Sequence, residues 1–141
     1  MNTKRFIVTS IVVWVVYEIL SYLLNGVIID WEGVAGVKAE MGGAGSIILG
    51  LIGGLIFSFM FSFIFIKGYE GKGIAEGLRY GLYIGLLMYV PLWFIFTAYY
   101  DYTMGIIWGF TLGNLVVAIL LGIIPALLYK PLQKESKPAA G

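Results

Sequence analysis

Charged side chains are missing from most of this chain. None occurs in 41–66, 80–100 or 102–129, and Glu18 is the only one in 6–29. Charged residues make up 12% of the chain, against roughly 25% in an average soluble domain, so too little charge is available to cover a water-facing surface. Each uncharged run exceeds the ~20 residues a helix needs to cross about 30 Å of hydrocarbon. Lipid offers no partner for an open backbone, so long apolar runs without period-two polar alternation must be helices rather than barrel strands. The expected fold is therefore an all-α membrane protein. Four transmembrane helices at 6–25, 46–66, 77–99 and 104–129 form a bundle within one domain, 1–131.

One stretch tests the helical reading. Phe57, Phe59, Phe61, Phe63 and Phe65 recur at every second position, as in a strand. On a helix they separate into two arcs, 57/61/65 and 59/63, on either side of Ser58 and Ser62. The length of the uncharged run decides for helix. The basic, apolar N-terminus resembles a secretory signal, but its apolar run is too long and no small-residue cleavage pattern follows, so an uncleaved anchor is expected. The segment 26–45 forms an outer loop in which Asp30 can cap a short interfacial helix over 31–41. A polar tail follows at 132–141.

The basic residues set an orientation. Lys4, Arg5, Lys67, Lys72, Arg79, Lys130, Lys134 and Lys137 fall on one side, and Lys38 alone falls on the other. The positive-inside rule makes the crowded side cytoplasmic, with both termini inside and the chain multi-pass in a bacterial-type plasma membrane. Tyr99, Tyr100, Tyr102 and Trp108 then form an interfacial aromatic belt at the outer surface.

Several chemistries are excluded by composition. With neither cysteine nor histidine, disulfides, thiolate or imidazole metal sites, histidine-ligated haem, Cys/His nucleophiles and histidine pH switches are all ruled out. An all-oxygen cation site built from Asp30, Glu32, Glu40 or Asp101 remains open. A net charge of +1 without a basic aromatic face argues against nucleic acid. No cofactor is expected, nor any catalytic or metal site.

Glycine carries the strongest internal pattern. Small residues recur every fourth position at Gly42, Ser46, Gly50, Gly54, Ser58 and Ser62, again at Gly73, Gly77, Gly81 and Gly85, and again at Gly105, Gly109 and Gly113. This spacing lines one face of each helix with small side chains, where neighbouring backbones approach closely. The expected packing residues are Gly50, Gly54, Gly77, Gly81, Gly85, Gly105, Gly109 and Gly113. One ladder, that of the fourth helix, is a candidate docking face for another subunit. Pro91 and Pro125 are expected to kink their helices.

Glu18 is the only formal charge deep within a span, Arg79 lying at the very start of the third. An ionised carboxylate there costs several kcal/mol, so it should be protonated, paired or wetted. Asn114 and Thr111 lie at similar depth and, with Thr97, Tyr17 and Ser21, could complete a polar intramembrane site. This is either a protonatable binding site or a structural hydrogen bond.

The segment KGYEGKG at 67–73 only superficially resembles a phosphate loop. Its Lys72 precedes Gly73 instead of Ser or Thr, and membrane helices flank it. A hairpin is expected, with Glu76 and Arg79 pairing at headgroup level. The motif KGYEGKG-x-x-EGLRYG, together with a last helix ending LGIIPALLYKP, resembles a family of small uncharacterised bacterial membrane proteins with four helices. That resemblance implies the fold and no activity. In architecture the chain is also similar to small multidrug resistance transporters, which carry a membrane glutamate in their first helix; Glu18 matches it in type and approximate place, but the surrounding VVYEILS lacks their motif. The longer first loop and the strong basic bias depart from their pattern.

The sequence therefore points to a non-catalytic integral-membrane scaffold or accessory subunit, packing through glycine faces against a larger complex or copies of itself in the lipid bilayer. A small proton-coupled carrier using Glu18 is the alternative.

Overall fold

The computed structural model describes residues 2–29, 44–100 and 102–129. The expected helix at 31–41, the tail at 132–141, Gly42 and the four carboxylates Asp30, Glu32, Glu40 and Asp101 lie outside the described residues. The described chain is helical: α1 (Thr3–Tyr22), a π-helical segment (Leu23–Ile28), α2 (Ala44–Lys67), α3 (Ile74–Tyr99) and α4 (Met104–Leu128). Counting α1 with its π extension, the described residues contain four helices long and apolar enough to cross a membrane.

Local chemistry sets their ends. Asn2 caps α1 by accepting the Arg5 backbone N–H at 3.2 Å, which satisfies one of the donors a first turn leaves open. At the other end of this first span the hydrogen-bond ladder widens, and the Ile29 N–H reaches the Leu24 carbonyl, five residues back, at 2.8 Å. This π turn has no counterpart in the sequence pattern, because Leu-Leu-Asn-Gly-Val-Ile reads equally well as α-helix. Pro91 and Pro125 both lie inside continuous helices.

The packing order differs from the chain order. α3 packs most extensively on α4, α1 packs on both α2 and α4, and α2 makes only slight contact with α4. α4 is the most enclosed, with 44% of its apolar window buried against 17–22% in the others. The main core gathers Val13 and Leu24 from the first span, Phe61 from α2, and Ile106, Val117 and Leu121 from α4. A second cluster holds Phe65, Ile66, Ala126 and Tyr129 at the end where the chain starts.

The phenylalanine run is helical, and its two arcs meet different neighbours. Phe59 and Phe63 set their rings 5.7 and 6.4 Å from Phe6 of α1. Phe61 and Phe65 lie 4.7 and 5.2 Å from Tyr80 of α3, whose hydroxyl donates to the Phe61 carbonyl at 2.6 Å. Ser58 and Ser62, between the arcs, are fully buried.

The α2–α3 loop departs from the expected ion pair. Glu76 does not hold Arg79. Its carboxylate, only 5% exposed, turns back over the loop and accepts the backbone N–H groups of Glu70 at 2.6 Å and Lys72 at 2.8 Å. Arg79 instead reaches Glu70 at 2.9 Å, and Lys72 joins the same carboxylate at 2.6 Å. The glycines of the motif have a conformational cause, since Gly71 and Gly73 take φ of +79° and +71°, where a side chain would be strained.

At the opposite end, aromatic side chains close the α3–α4 hairpin. Trp93 lies 5.2 Å from Trp108, Phe96 lies 5.3 Å from Phe110, and Tyr100 stacks on Tyr102 at 5.3 Å.

Candidate intramembrane polar site

Glu18 sits on α1 four residues beyond Trp14, so both share one helix face. The Trp14 indole N–H donates to Glu18 Oε1 at 3.0 Å and also lies 3.2 Å from the Leu51 carbonyl of α2. The carboxylate is half-buried and lies against Gly54 of α2. A Cβ placed on Gly54 would overlap Glu18 Oε1 and come within 3.0 Å of Tyr17 Cε1. The absence of a side chain at 54 is what makes room for the carboxylate. Beyond Gly54 the same α2 face carries Ser58 and Ser62, one and two turns on, both fully buried with hydroxyls that lack a partner. On α1, Thr9 and Ser10 are likewise fully buried and unpartnered.

Of the other expected members, Tyr17 adjoins the same Gly54 contact, but Asn114, Thr111 and Thr97 lie elsewhere. Asn114 is buried on α4 and donates to its own helix at the Phe110 carbonyl, 2.8 Å away. Thr111 is buried near it with an unpartnered hydroxyl. No described hydrogen bond joins either residue to Glu18. Thr97 is exposed and donates to its own Trp93 carbonyl at 2.8 Å. Glu18 therefore works with Trp14 and Gly54 at the α1–α2 interface, while Asn114 and Thr111 belong to α4. The sequence reading missed Trp14, though its spacing of four from Glu18 was visible. It also missed Thr9 and Ser10, which gave no signal of burial.

The expected glycine positions divide into three kinds. On α3, a Cβ at Gly77 would overlap the Gly122 carbonyl oxygen and come within 2.8 Å of Ala126 Cβ, and one at Gly81 would meet the Ala118 carbonyl and come within 2.7 Å of Ile119 Cα. Those obstacles are backbone. At Gly54, Gly85 and Gly113 the obstacles are chiefly side chains, those of Glu18, Leu115 and Leu24. Among the described residues, Gly50 and Gly105 have no neighbour within 4 Å, and Gly109 has only Ile29 Cγ1 at 3.8 Å. On α4, then, Leu24 and Ile29 from the first span occupy the face of Gly113 and Gly109. Gly122, missed because it falls outside the four-residue spacing, is the partner of Gly77.

Among the described residues no group of carboxylates is placed to hold a metal ion. No protein-family profile matches the chain, and neither a curated protein nor a solved structure matches it.

Proposed function

We propose that this chain is a non-catalytic integral-membrane accessory subunit or scaffold, with both termini cytoplasmic, that docks another membrane helix against the start of α2. The observation carrying this reading is the contrast between glycines. Gly77 and Gly81 of α3 lie against the backbone of α4, whereas among the described residues nothing lies within 4 Å of a Cβ at Gly45, Gly50 or Gly53 of α2, and residues 44–53 are all exposed. Glycine within a helix costs roughly 0.5–1 kcal/mol relative to alanine, and in lipid that cost is offset where helices approach closely. Three bare glycines on one short stretch fit a close approach by a helix from outside this chain. The test is purification in mild detergent with native mass measurement. A stoichiometric larger partner or a discrete oligomer, lost on Gly50→Leu, supports the reading; recovery only as a monomer refutes it.

A second reading, a proton-coupled carrier, is favoured by one specific arrangement. Glu18 accepts a single described hydrogen bond and adjoins a face bearing the unpartnered hydroxyls of Ser58 and Ser62. A carrier would work when reconstituted alone and lose transport on Glu18→Gln, whereas an accessory subunit would tolerate that change.

A further inference from the structure

A cavity of ≈ 460 Å³ opens at the end of the molecule where the chain starts, lined by Asn2, Lys4, Arg5, Val8, Thr9 and Leu128. We propose that it binds the phosphate-bearing headgroup of an anionic membrane lipid.

The walls come from both ends of the chain. The first turns of α1 supply four of the lining residues and its cap Asn2 a fifth, and Leu128, at the end of α4, supplies the facing apolar wall. The two helices are tied beside it, since the Asn2 backbone N–H lies 3.3 Å from the Tyr129 hydroxyl. Tyr129 is itself buried, with its ring 5.5 Å from that of Tyr69. The cavity is therefore held between anchored elements.

Its polarity is graded. Lys4 and Arg5 are exposed, and among the described residues no carboxylate pairs with either. Val8 and Thr9 follow one turn deeper, roughly 6 Å further along the axis. Positive charge at the rim with apolar surface below matches a lipid, whose phosphate sits above its acyl chains. Basic pockets between transmembrane helices favour anionic headgroups, and each Lys or Arg near the surface strengthens that attraction. The start of α1 adds the positive end of a helix dipole.

Thr9 is the second and independent observation. It lines the cavity, is 0% exposed, and its hydroxyl has no partner within the protein. A buried donor left unmade is costly, and a phosphate or glycerol oxygen in the cavity would satisfy it. The basic residues alone would be an ordinary interfacial pair; the unpartnered hydroxyl beneath them makes the cavity a site.

The test uses the full chain in mild detergent, with native mass spectrometry of lipid retention. Phosphatidylglycerol is compared with phosphatidylcholine, and inorganic phosphate is added as competitor. The expected result is preferential retention of phosphatidylglycerol, undisturbed by inorganic phosphate. Retention should fall on the order of tenfold in the Lys4→Gln, Arg5→Gln double variant and about threefold in Thr9→Val. Lys67→Gln is the control, because its ammonium lies over the Phe63 ring, 5.3 Å from the centroid, and it does not line the cavity. Thr9→Val leaves the positive charge that sets orientation untouched, so its effect survives even if the double variant inserts poorly. Equal retention of the two lipids, equal loss in Lys67→Gln, or no loss in Thr9→Val would each overturn the proposal. Displacement of the lipid by inorganic phosphate would assign the site to a free anion instead.

Discussion

Gly77 of α3 and Gly122 of α4 exclude each other's side chains. A Cβ on Gly77 would overlap the Gly122 carbonyl oxygen, and a Cβ on Gly122 would overlap that of Gly77. The obstacle on each side is backbone, so the two helices must separate before either position can change. Gly77→Ala or Gly122→Ala should destabilise the protein by at least about 1–3 kcal/mol, the usual range for overpacking. Gly50→Ala and Gly105→Ala, which meet nothing within 4 Å among the described residues, should be neutral or stabilising by roughly 0.5–1 kcal/mol through helix propensity. Unfolding in mixed detergent micelles would separate the two pairs; equal effects would show that the α3–α4 approach is looser than described.

Gly85→Ala should lie between these extremes. The nearest obstacle is Leu115 Cδ1 at 2.6 Å, the end of a flexible side chain that can change rotamer. A loss of under about 1.5 kcal/mol is expected in the same assay. A loss as large as that of Gly77→Ala would mean Leu115 has nowhere to go.

Glu76→Ala should be the most damaging change in the α2–α3 loop. It removes a buried carboxylate and leaves two backbone donors, those of Glu70 and Lys72, without their acceptor. Hydrogen bonds to a charged group contribute about 1.5–3 kcal/mol each, so a loss of roughly that size is expected. Glu70→Gln, which breaks only exposed, solvent-screened pairs, should cost far less. Hydrogen exchange at the Lys72 amide would report the difference locally, and unchanged protection in Glu76→Ala would refute the capping role.

Glu70 titrates below the ordinary carboxylate range, because its hydrogen bond from Lys72 and then that from Arg79 favour the charged form. A carboxylate whose folded value is depressed contributes stability above its unfolded pKa, and that contribution is lost as pH falls through the lowered value. The Lys72–Glu70–Arg79 cluster should therefore be intact at neutral pH and dissolve only under acid conditions. A carbon-detected NMR titration of Glu70 should show the low midpoint, and Arg79→Gln should raise it toward the ordinary value. An unshifted midpoint in the unaltered protein would remove the pairing from the solution structure.

Trp14→Phe should weaken the α1–α2 contact by about 1 kcal/mol, since it removes the indole donor to Glu18 and to the Leu51 carbonyl. If so, adding Glu18→Gln should cost less in the Trp14→Phe background than alone, which a double-mutant cycle measures. Strict additivity would show that the two side chains do not act together.

The sequence made visible whatever depends on composition over a window, and hid what depends on a single neighbour. Uncharged runs identify four apolar helices because the cost of charge in lipid acts on every residue of a span. The helical state of Phe57–Phe65 followed from the same length argument. Other features were set by tertiary contact. Gly122 lies off the four-residue ladder, yet Gly77 selects it because α3 and α4 cross there. Glu76 and Arg79 are neighbours at helical spacing, but the carboxylate is drawn to loop amides that Gly71 and Gly73 turn toward it. The π turn at Leu23–Ile28 left no mark either, although it brings Leu24 onto Gly113 and Ile29 beside Gly109. At the polar site, depth alone grouped Glu18 with Asn114. Depth says nothing about azimuth, and the two occupy different interfaces.

The order of helix contacts has a consequence for how the chain comes together. α1 packs on α2 and α3 packs on α4, so each extensive pairing except one joins sequence neighbours and can form as the second helix of its hairpin leaves the synthetic machinery. The exception is α1 against α4, which has to wait for the whole chain. Assembly thus reduces to two locally closed hairpins and a single late docking event, in which side chains of the first span meet the central helix. Slow or failed maturation should trace to substitutions on that one seam, at Val13, Leu24 or Leu121, rather than to the glycine-packed hairpin formed before it.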